Sequence, residues 1–300
     1  MKAESQMANG SALVEKGWPA VLLELVKARL TALVLLTTLV GFRLGWHDAM
    51  DYWLLLHALL GTALVASGAS TLNQFLEKQH DANMPRTADR PLPSGRVRPE
   101  IALIFGGAAS VIGLLYLALA VNLLTSVLGA VTLVSYVFIY TPLKRVTTLN
   151  TAIGAIPGAL PPLMGWTAAR NEVTIEGWSL VAILFFWQLP HFLAITWLYR
   201  EEYAKAGFAM LPVFDPTCEQ TCRQAVSHTL GLLPVSLAPF IFKMAGPLYL
   251  AGALALGLGF LGCALSFSRR LDTAHARRLF YASILYLPLL LGLIVFDKLK

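Results

Sequence analysis

Nine stretches of mostly apolar residues, each about 20 long, run through this 300-residue chain, and no other feature restricts its fold so severely. They lie at roughly 21–44, 53–73, 101–120, 123–141, 150–168, 177–199, 225–243, 247–267 and 279–296. A helix of that length matches a hydrocarbon core about 30 Å thick. In lipid an unpaired backbone amide costs several kcal/mol, and a helix pairs its amides internally. The expected fold is therefore all-α, a polytopic membrane bundle of nine transmembrane helices. The third and fourth stretches, parted only by a short turn near Asn122, should form an antiparallel hairpin.

Composition agrees. The chain is 57% hydrophobic and 13% charged, against about 25% charged in soluble domains, and its mean hydropathy is +0.65. The net charge of +6 does not point to nucleic acid, because the cations sit in short loops and form no stripe interleaved with aromatics. With the N-terminus in the cytoplasm, 18 of the 23 Lys and Arg fall on that side and only Arg43, Arg170, Lys243, Lys298 and Lys300 on the other. The positive-inside rule thus sets a cytoplasmic N-terminus and an external C-terminus. Residues 1–17 lack the basic start and apolar core of a signal peptide and the Arg-rich character of a mitochondrial presequence. A multi-pass protein of a bacterial inner membrane is expected, with 1–20 a polar, disordered tail and 21–300 one domain. Cys218, Cys222 and Cys263 form no disulfide framework. The Cys218/Cys222 pair reads either as a metal or redox pair or, more simply, as two reduced thiols.

Chemistry gathers on the cytoplasmic side, where the loops 74–100 and 200–224 are long. Asn73, Glu77 and Asp81 are spaced four apart, so they line one helical face at about 6 Å per step. Two carboxylates and a carboxamide suit a hard cation such as Mg²⁺, which shares its shell with waters and phosphate oxygens. Arg86 and Arg90 follow, again four apart, beyond the helix-breaking Pro85. Guanidinium forks match phosphate oxygens. Acids that can bind a metal, followed by paired arginines, describe a diphosphate site. Acids and bases alone would equally fit a solvated, salt-bridged helix end.

The string Asn73-x-x-x-Glu77-x-x-x-Asp81, then Met84-x-Arg86-Thr87-x-x-Arg90-Pro91-Leu92, is more particular than that. It resembles the first motif of the UbiA family of intramembrane prenyltransferases. The resemblance implies that Asn73, Glu77 and Asp81 hold Mg²⁺, that Arg86 and Arg90 bind a prenyl diphosphate, and that Asn73, Asp81, Arg86 and Arg90 are catalytic. Two further segments resemble the branch of that family that farnesylates haem, the haem O synthases. One is Tyr140-Thr-Pro-Leu-Lys144-Arg145, followed by the Pro- and Gly-rich stretch 153–166. Lys144 and Arg145 read either as clamps on the leaving diphosphate or as positive-inside anchors. The other is Trp187-Gln188-x-Pro190-His191-Phe192. An ionisable group within a span is a functional candidate by default, although a buried His can simply hydrogen-bond a neighbour. The resemblance ties His191 to activity as a haem ligand or a proton carrier.

One departure stands out. Other members of the family carry an Asp-x-x-x-Asp second motif in the loop after this span. Here Glu201 and Glu202 are adjacent, and the pair four apart is Tyr199 and Tyr203. Adjacent helical acids point about 100° apart, so at most one faces a shared metal. Glu202 is the candidate, and the departure puts a second metal ligand in doubt. By resemblance the reaction joins the farnesyl group of farnesyl diphosphate to a vinyl group of haem b, with water addition, to give haem o. Haem is then a substrate, and Mg²⁺ the cofactor. Aromatics such as Trp187, Tyr140 and Phe186 are candidates to shield a cation. The resemblance also implies a haem A synthase or a terminal-oxidase assembly factor as protein partner. A prenyltransferase with a quinone or chlorin acceptor, and a transporter with a basic gate, are the competing readings. The first lacks the second acidic motif and the second lacks polar groups deep in several spans.

Overall fold

The computed structural model describes residues 17–47 and 49–299, and among these the regular structure is helical, with one isolated β-bridge between Ala245 and Lys298. A short α1 (Trp18–Leu25) leads into α2 (Ala28–Gly45), α3 (Tyr52–Ala82), α4 (Pro99–Ala120) and α5 (Leu123–Val134). A π-helical segment, Ser135–Tyr140, runs on into α6 (Thr141–Leu143). Next come α7 (Asn150–Ala159), α8 (Pro161–Arg170), α9 (Ile175–Leu198) and the short α10 (Arg200–Lys205) and α11 (Leu211–Phe214). Three long helices, α12 (Glu219–Ile241), α13 (Pro247–Arg270) and α14 (Thr273–Phe296), complete the chain.

Eight helical segments among the described residues are long and apolar enough to cross a membrane. The ninth expected stretch, 150–168, is instead two helices of ten residues each, broken at Leu160. Pro157, Pro161 and Pro162 supply no amide hydrogen, so a continuous ladder cannot run through this stretch. The first expected stretch is also divided. Lys27 adopts a left-handed conformation (φ 48°) that ends α1 and starts α2. The last residues of the expected tail 1–20 belong to α1, which begins at Trp18, and residues 1–16 lie outside the described residues. The hairpin is where it was expected. Asn122 accepts from the Thr125 amide (2.8 Å) to cap α5 and donates to the carbonyl of Thr167 (2.8 Å), which ties the turn to α8.

Packing follows membrane rules. Small residues let backbones approach where no hydrophobic force drives helices together. A Cβ on Gly41 of α2 would lie 1.8 Å from the Pro162 carbonyl oxygen, and one on Gly165 of α8 would lie 1.9 Å from that of Thr38. Large apolar side chains such as Ile104, Leu119 and Phe296 point outward and are exposed, as befits a multi-pass protein whose solvent is lipid. The largest apolar core lies among α9, α12, α13 and α14 and includes Tyr249, Phe260, Phe267 and Tyr286. The polar core lies elsewhere, at the last turns of α3.

Candidate functional site

Helix α3 runs for 31 residues, longer than a span requires, and its final turns carry Asn73, Glu77 and Asp81 into the protein. These side chains belong to residues only 0%, 3% and 2% exposed. Burial at that level obliges each to find a partner. Asn73 accepts from the Lys27 ammonium (2.6 Å) and donates to the Thr141 hydroxyl (3.0 Å). Thr141 in turn donates to the carbonyl of Tyr136, inside the π-helical segment (2.9 Å). The π-turn thus offers a backbone acceptor to the site, a common placement for such irregularities. Glu77 Oε1 lies 2.7 Å from Lys144 Nζ, close enough for an ion pair, yet it makes no aligned hydrogen bond. Asp81 Oδ2 accepts from Arg90 Nη1 at 2.7 Å.

The loop after α3 is folded by its own polar groups. The Thr87 hydroxyl donates to the carbonyl of Asp81 (2.8 Å), and the Ser94 hydroxyl to that of Arg90 (2.6 Å). Gly95 closes the turn at φ 75°, a conformation that costs glycine little. Arg86 is held from the opposite loop. Its Nη2 donates to the Tyr203 hydroxyl (2.9 Å), and its guanidinium lies 5.1 Å from the Tyr199 ring centre and 5.7 Å from that of Tyr203. The residues after α10 fold over the site in the same way. The amide of Ala209 donates to the Lys144 carbonyl (2.6 Å), and Asn150 Nδ2 donates to the Ala209 carbonyl (2.6 Å).

These groups surround one cavity of about 230 Å³, lined by four cations (Lys27, Arg86, Arg90 and Lys144) and two acids (Glu77 and Asp81). The excess is positive, as an anionic ligand requires. Burial, and then the Arg90 guanidinium, push the Lys27 ammonium down to about 7. Burial alone would also lower Lys144, but the Glu77 carboxylate beside it holds Lys144 well above the usual lysine range. Its ammonium lies 4.6 Å from the centre of the Tyr140 ring.

His191, Phe192, Ile195 and Thr196 of α9 line the same cavity. His191 is stacked between Trp187 (centroids 5.3 Å, 21° between planes) and Phe280 (5.0 Å, 27°). Its Nδ1 lies 2.7 Å from the hydroxyl oxygen of Ser283 on α14.

Asn73, Glu77, Asp81, Arg86, Arg90, Lys144 and His191 are therefore brought together, as anticipated. Two other candidates are not. Arg145 is exposed and lies 3.2 Å from His80 Nε2, outside the cavity lining, because Lys144 takes the inward position after α6 and the two residues that follow it are exposed. Glu202 does not line the cavity either. The short α10 turns Tyr203 toward Arg86, while Glu202, one residue away, has a buried carboxylate oxygen with no hydrogen-bond partner. Of the proposed cation-shielding aromatics only Tyr140 lines the cavity. Phe186 packs against Gly231 and His228, and Trp187 lies behind His191. The three cysteines are free, and the Trp197 indole donates to Cys218 Sγ (3.3 Å). No group of three or more His, Cys, Asp or Glu among the described residues is arranged to hold a metal by itself. Four participants escaped the sequence reading: Lys27, Thr141, Tyr203 and Ser283. For Lys27 a signal existed, a cation inside the apolar stretch 21–44, where charge is costly.

Comparison with known proteins follows the same lines. Residues 34–287 match the UbiA prenyltransferase family. The protoheme IX farnesyltransferase of Solibacter usitatus is 48% identical over 286 residues, covering 92% of this chain and 98% of that protein. The protein of the same name from Myxococcus xanthus is 44% identical over 280 residues, covering 92% of this chain and 94% of its own length. Among solved structures, a digeranylgeranylglyceryl phosphate synthase superposes with a TM-score of 0.80 at 15% identity, over 93% of this chain and 98% of that one. A UbiA homologue from Archaeoglobus fulgidus bound to DMAPP and Mg²⁺ superposes at 0.64 and 16% identity, over 91% of this chain and 98% of that one. At such identities the structures establish the fold, while the sequence relatives span nearly the whole chain at well over 40%. With a buried acid and amide stripe, paired arginines and a match that covers most of its length, this chain belongs to the UbiA prenyltransferase family.

Proposed function

We propose that this enzyme transfers the farnesyl group of farnesyl diphosphate to a vinyl group of haem b, with addition of water, to give haem o and diphosphate. One observation carries the reading: a cluster of cations and acids and a single histidine line the same cavity. The sequence relatives bear the name of this reaction.

The donor set suits Mg²⁺. Asn73, Glu77 and Asp81 offer oxygen atoms on one face, and Glu77 Oε1 has no aligned hydrogen bond in its buried position. Too few protein ligands are present for a closed site, which is the normal situation for a Mg²⁺ that completes its shell with water and diphosphate oxygens. When bound, the ion would neutralise charge that develops on the leaving diphosphate. The protein's own cations do the same work. Arg86, Arg90 and Lys144 are held by partners that fix their direction before substrate arrives, so little reorganisation is needed during reaction. Arg90 and Lys144 pair with Asp81 and Glu77, so each is held beside the acids that would hold the metal.

In the reaction the C1–O bond of the donor breaks and its electron pair leaves with the diphosphate. The π pair of the haem vinyl forms the new bond to C1. Water adds to the resulting cation and releases one proton. The cavity, at about 230 Å³, is smaller than the roughly 300–1,000 Å³ of ordinary small-molecule pockets. It would hold the diphosphate and the reacting atoms, while the farnesyl tail and the body of the macrocycle extend between helices. His191, which lines the same cavity as the cations, is the group that meets the acceptor.

In the membrane we propose nine passes, counting α7 and α8 as one broken crossing. The N-terminus and the site then lie on the cytoplasmic side of a bacterial inner membrane, as the distribution of Lys and Arg requires. The decisive experiment mixes detergent-purified protein with haem b, farnesyl diphosphate and Mg²⁺ and identifies the product by mass. A mass equal to haem b plus a farnesyl group and a hydroxyl group supports the reading. Prenylation of a quinone precursor or chlorin, with haem b untouched, would overturn it.

A further inference from the structure

We infer that Ser283 is a positioning residue, setting which nitrogen of His191 carries the proton and so presenting Nε2, with its lone pair, to the acceptor. The inference rests on the haem reading of the cavity and adds a residue that the motifs do not contain.

The argument is a count of protons. A serine hydroxyl has one hydrogen to donate. The Ser283 hydroxyl donates it to the carbonyl of Phe280, one turn earlier, at 2.5 Å. The contact of 2.7 Å between Ser283 Oγ and His191 Nδ1 therefore needs its proton from the imidazole. A neutral imidazole with hydrogen on Nδ1 has its acceptor at Nε2. Nε2 has no hydrogen-bond partner among the described residues, and His191 lines the cavity. The ring cannot readily turn away, because Trp187 covers one face and Phe280 the other. With both faces covered and Nδ1 tied, the edge bearing Nε2 is what remains for the cavity.

A second bond makes Ser283 more than an incidental neighbour. The Trp187 indole N–H donates to the backbone carbonyl of Ser283 at 2.7 Å. Trp187 and His191 lie four apart on one face of α9 and both bind the same fully buried residue of α14, which is 0% exposed. The arrangement is the one found behind histidine ligands of metals, where the far nitrogen donates to an oxygen that fixes the tautomer and the ring plane. Haem iron is the acceptor-side group that would use a lone pair held in this way. A proton released when water adds is the other.

The test titrates haem b into the purified full-length protein and follows the Soret band, with binding of Mg²⁺ and farnesyl diphosphate measured alongside as the sign of an intact fold. Ser283→Ala should weaken haem binding by about tenfold to a hundredfold and alter the ligation spectrum, while donor binding stays within about twofold. Ser283→Thr, which keeps the hydroxyl, should restore the spectrum. His191→Ala should lose the spectrum altogether. An unchanged Ser283→Ala spectrum beside a lost His191→Ala spectrum would overturn the role of Ser283 and leave the proposed function standing. If His191→Ala bound haem with the native spectrum yet made no product, lone-pair presentation to iron would be overturned in favour of proton transfer. A wild-type protein that binds the donor but no haem would instead sink the function itself. Loss of donor binding in Ser283→Ala, unrestored by Ser283→Thr, would assign Ser283 to structure alone.

Discussion

The two walls of the cavity are built on opposite principles. The donor wall, from the end of α3, the loop after it, Lys27 ahead of α2 and Lys144 after α6, is dense in charge, and every acid in it has a cation within reach. The acceptor wall, on α9 and α14, holds one titratable ring, clamped between aromatics and fixed by one hydroxyl. A highly charged leaving group needs many charges at short range. Glu77, Asp81, Arg86 and Arg90 lie near one another in sequence, while Lys27 and Lys144 are brought in from elsewhere in the chain. Orienting a flat acceptor needs only one well-aimed atom, supplied through a bond between residues 92 positions apart. The comparison teaches that sensitivity to substitution should be broad on the first wall and concentrated on the second.

The largest expected effect tests the breadth of the donor wall. Asp81→Ala and Arg90→Ala should each reduce haem o formation by about 10³-fold or more, since each removes charge aimed at the leaving group. Asp81→Ala should still insert and fold, because the Arg90 side chain is 29% exposed and can be solvated when unpaired. Arg90→Ala leaves the Asp81 side chain, 3% exposed, unpaired, so its fold is checked by circular dichroism before its rate is read. Haem o formation at the normal rate by either purified variant would break the assignment of this wall. Removing divalent metal with EDTA should abolish turnover, and added Mg²⁺ should restore it. Full activity in EDTA would leave the acid stripe as a structural ion-pair network only.

A smaller effect probes the hand-over between loops. Tyr203→Phe deletes the hydroxyl that accepts from Arg86 but keeps the ring beneath the guanidinium. A hydrogen bond is worth about 1 kcal/mol, so the KM for farnesyl diphosphate should rise about fivefold, with kcat changed less. A rise in the haem KM instead would move Tyr203 to the acceptor side. The smallest effect is expected at Arg145. It is exposed and lies outside the cavity lining, so Arg145→Ala should stay within about twofold of the native rate in the same assay. A loss approaching that of Arg90→Ala would show that the loop 144–149 closes onto substrate.

Much of the donor wall was legible because its residues recur at helical spacing. Asn73, Glu77 and Asp81 fall on one stripe whatever surrounds them, and Arg86 and Arg90 follow a proline that must end the helix. Arg145 and Glu202 fall outside the cavity lining for a related reason. Each sits beside a residue that does line the cavity, Lys144 or Tyr203, and adjacency in sequence does not survive a helical turn of about 100° per residue. The acidic motif missing from 199–203 was visible, but its replacement by a tyrosine grip on Arg86 was not, since that grip spans 117 positions.

Local periodicity and hydrophobicity alone determined that the chain enters a membrane as helices, that Asn122 makes a hairpin, and that acids and arginines collect at one end of α3. These are short-range consequences of backbone geometry and solvent. The tertiary structure decided that the stretch 150–168 is two short helices, α7 and α8, that Lys27 turns inward to Asn73, and that Ser283 stands behind His191. Each of these depends on which helix packs against which. A serine among leucines and tyrosines carries no mark of its partner until α14 is laid against α9.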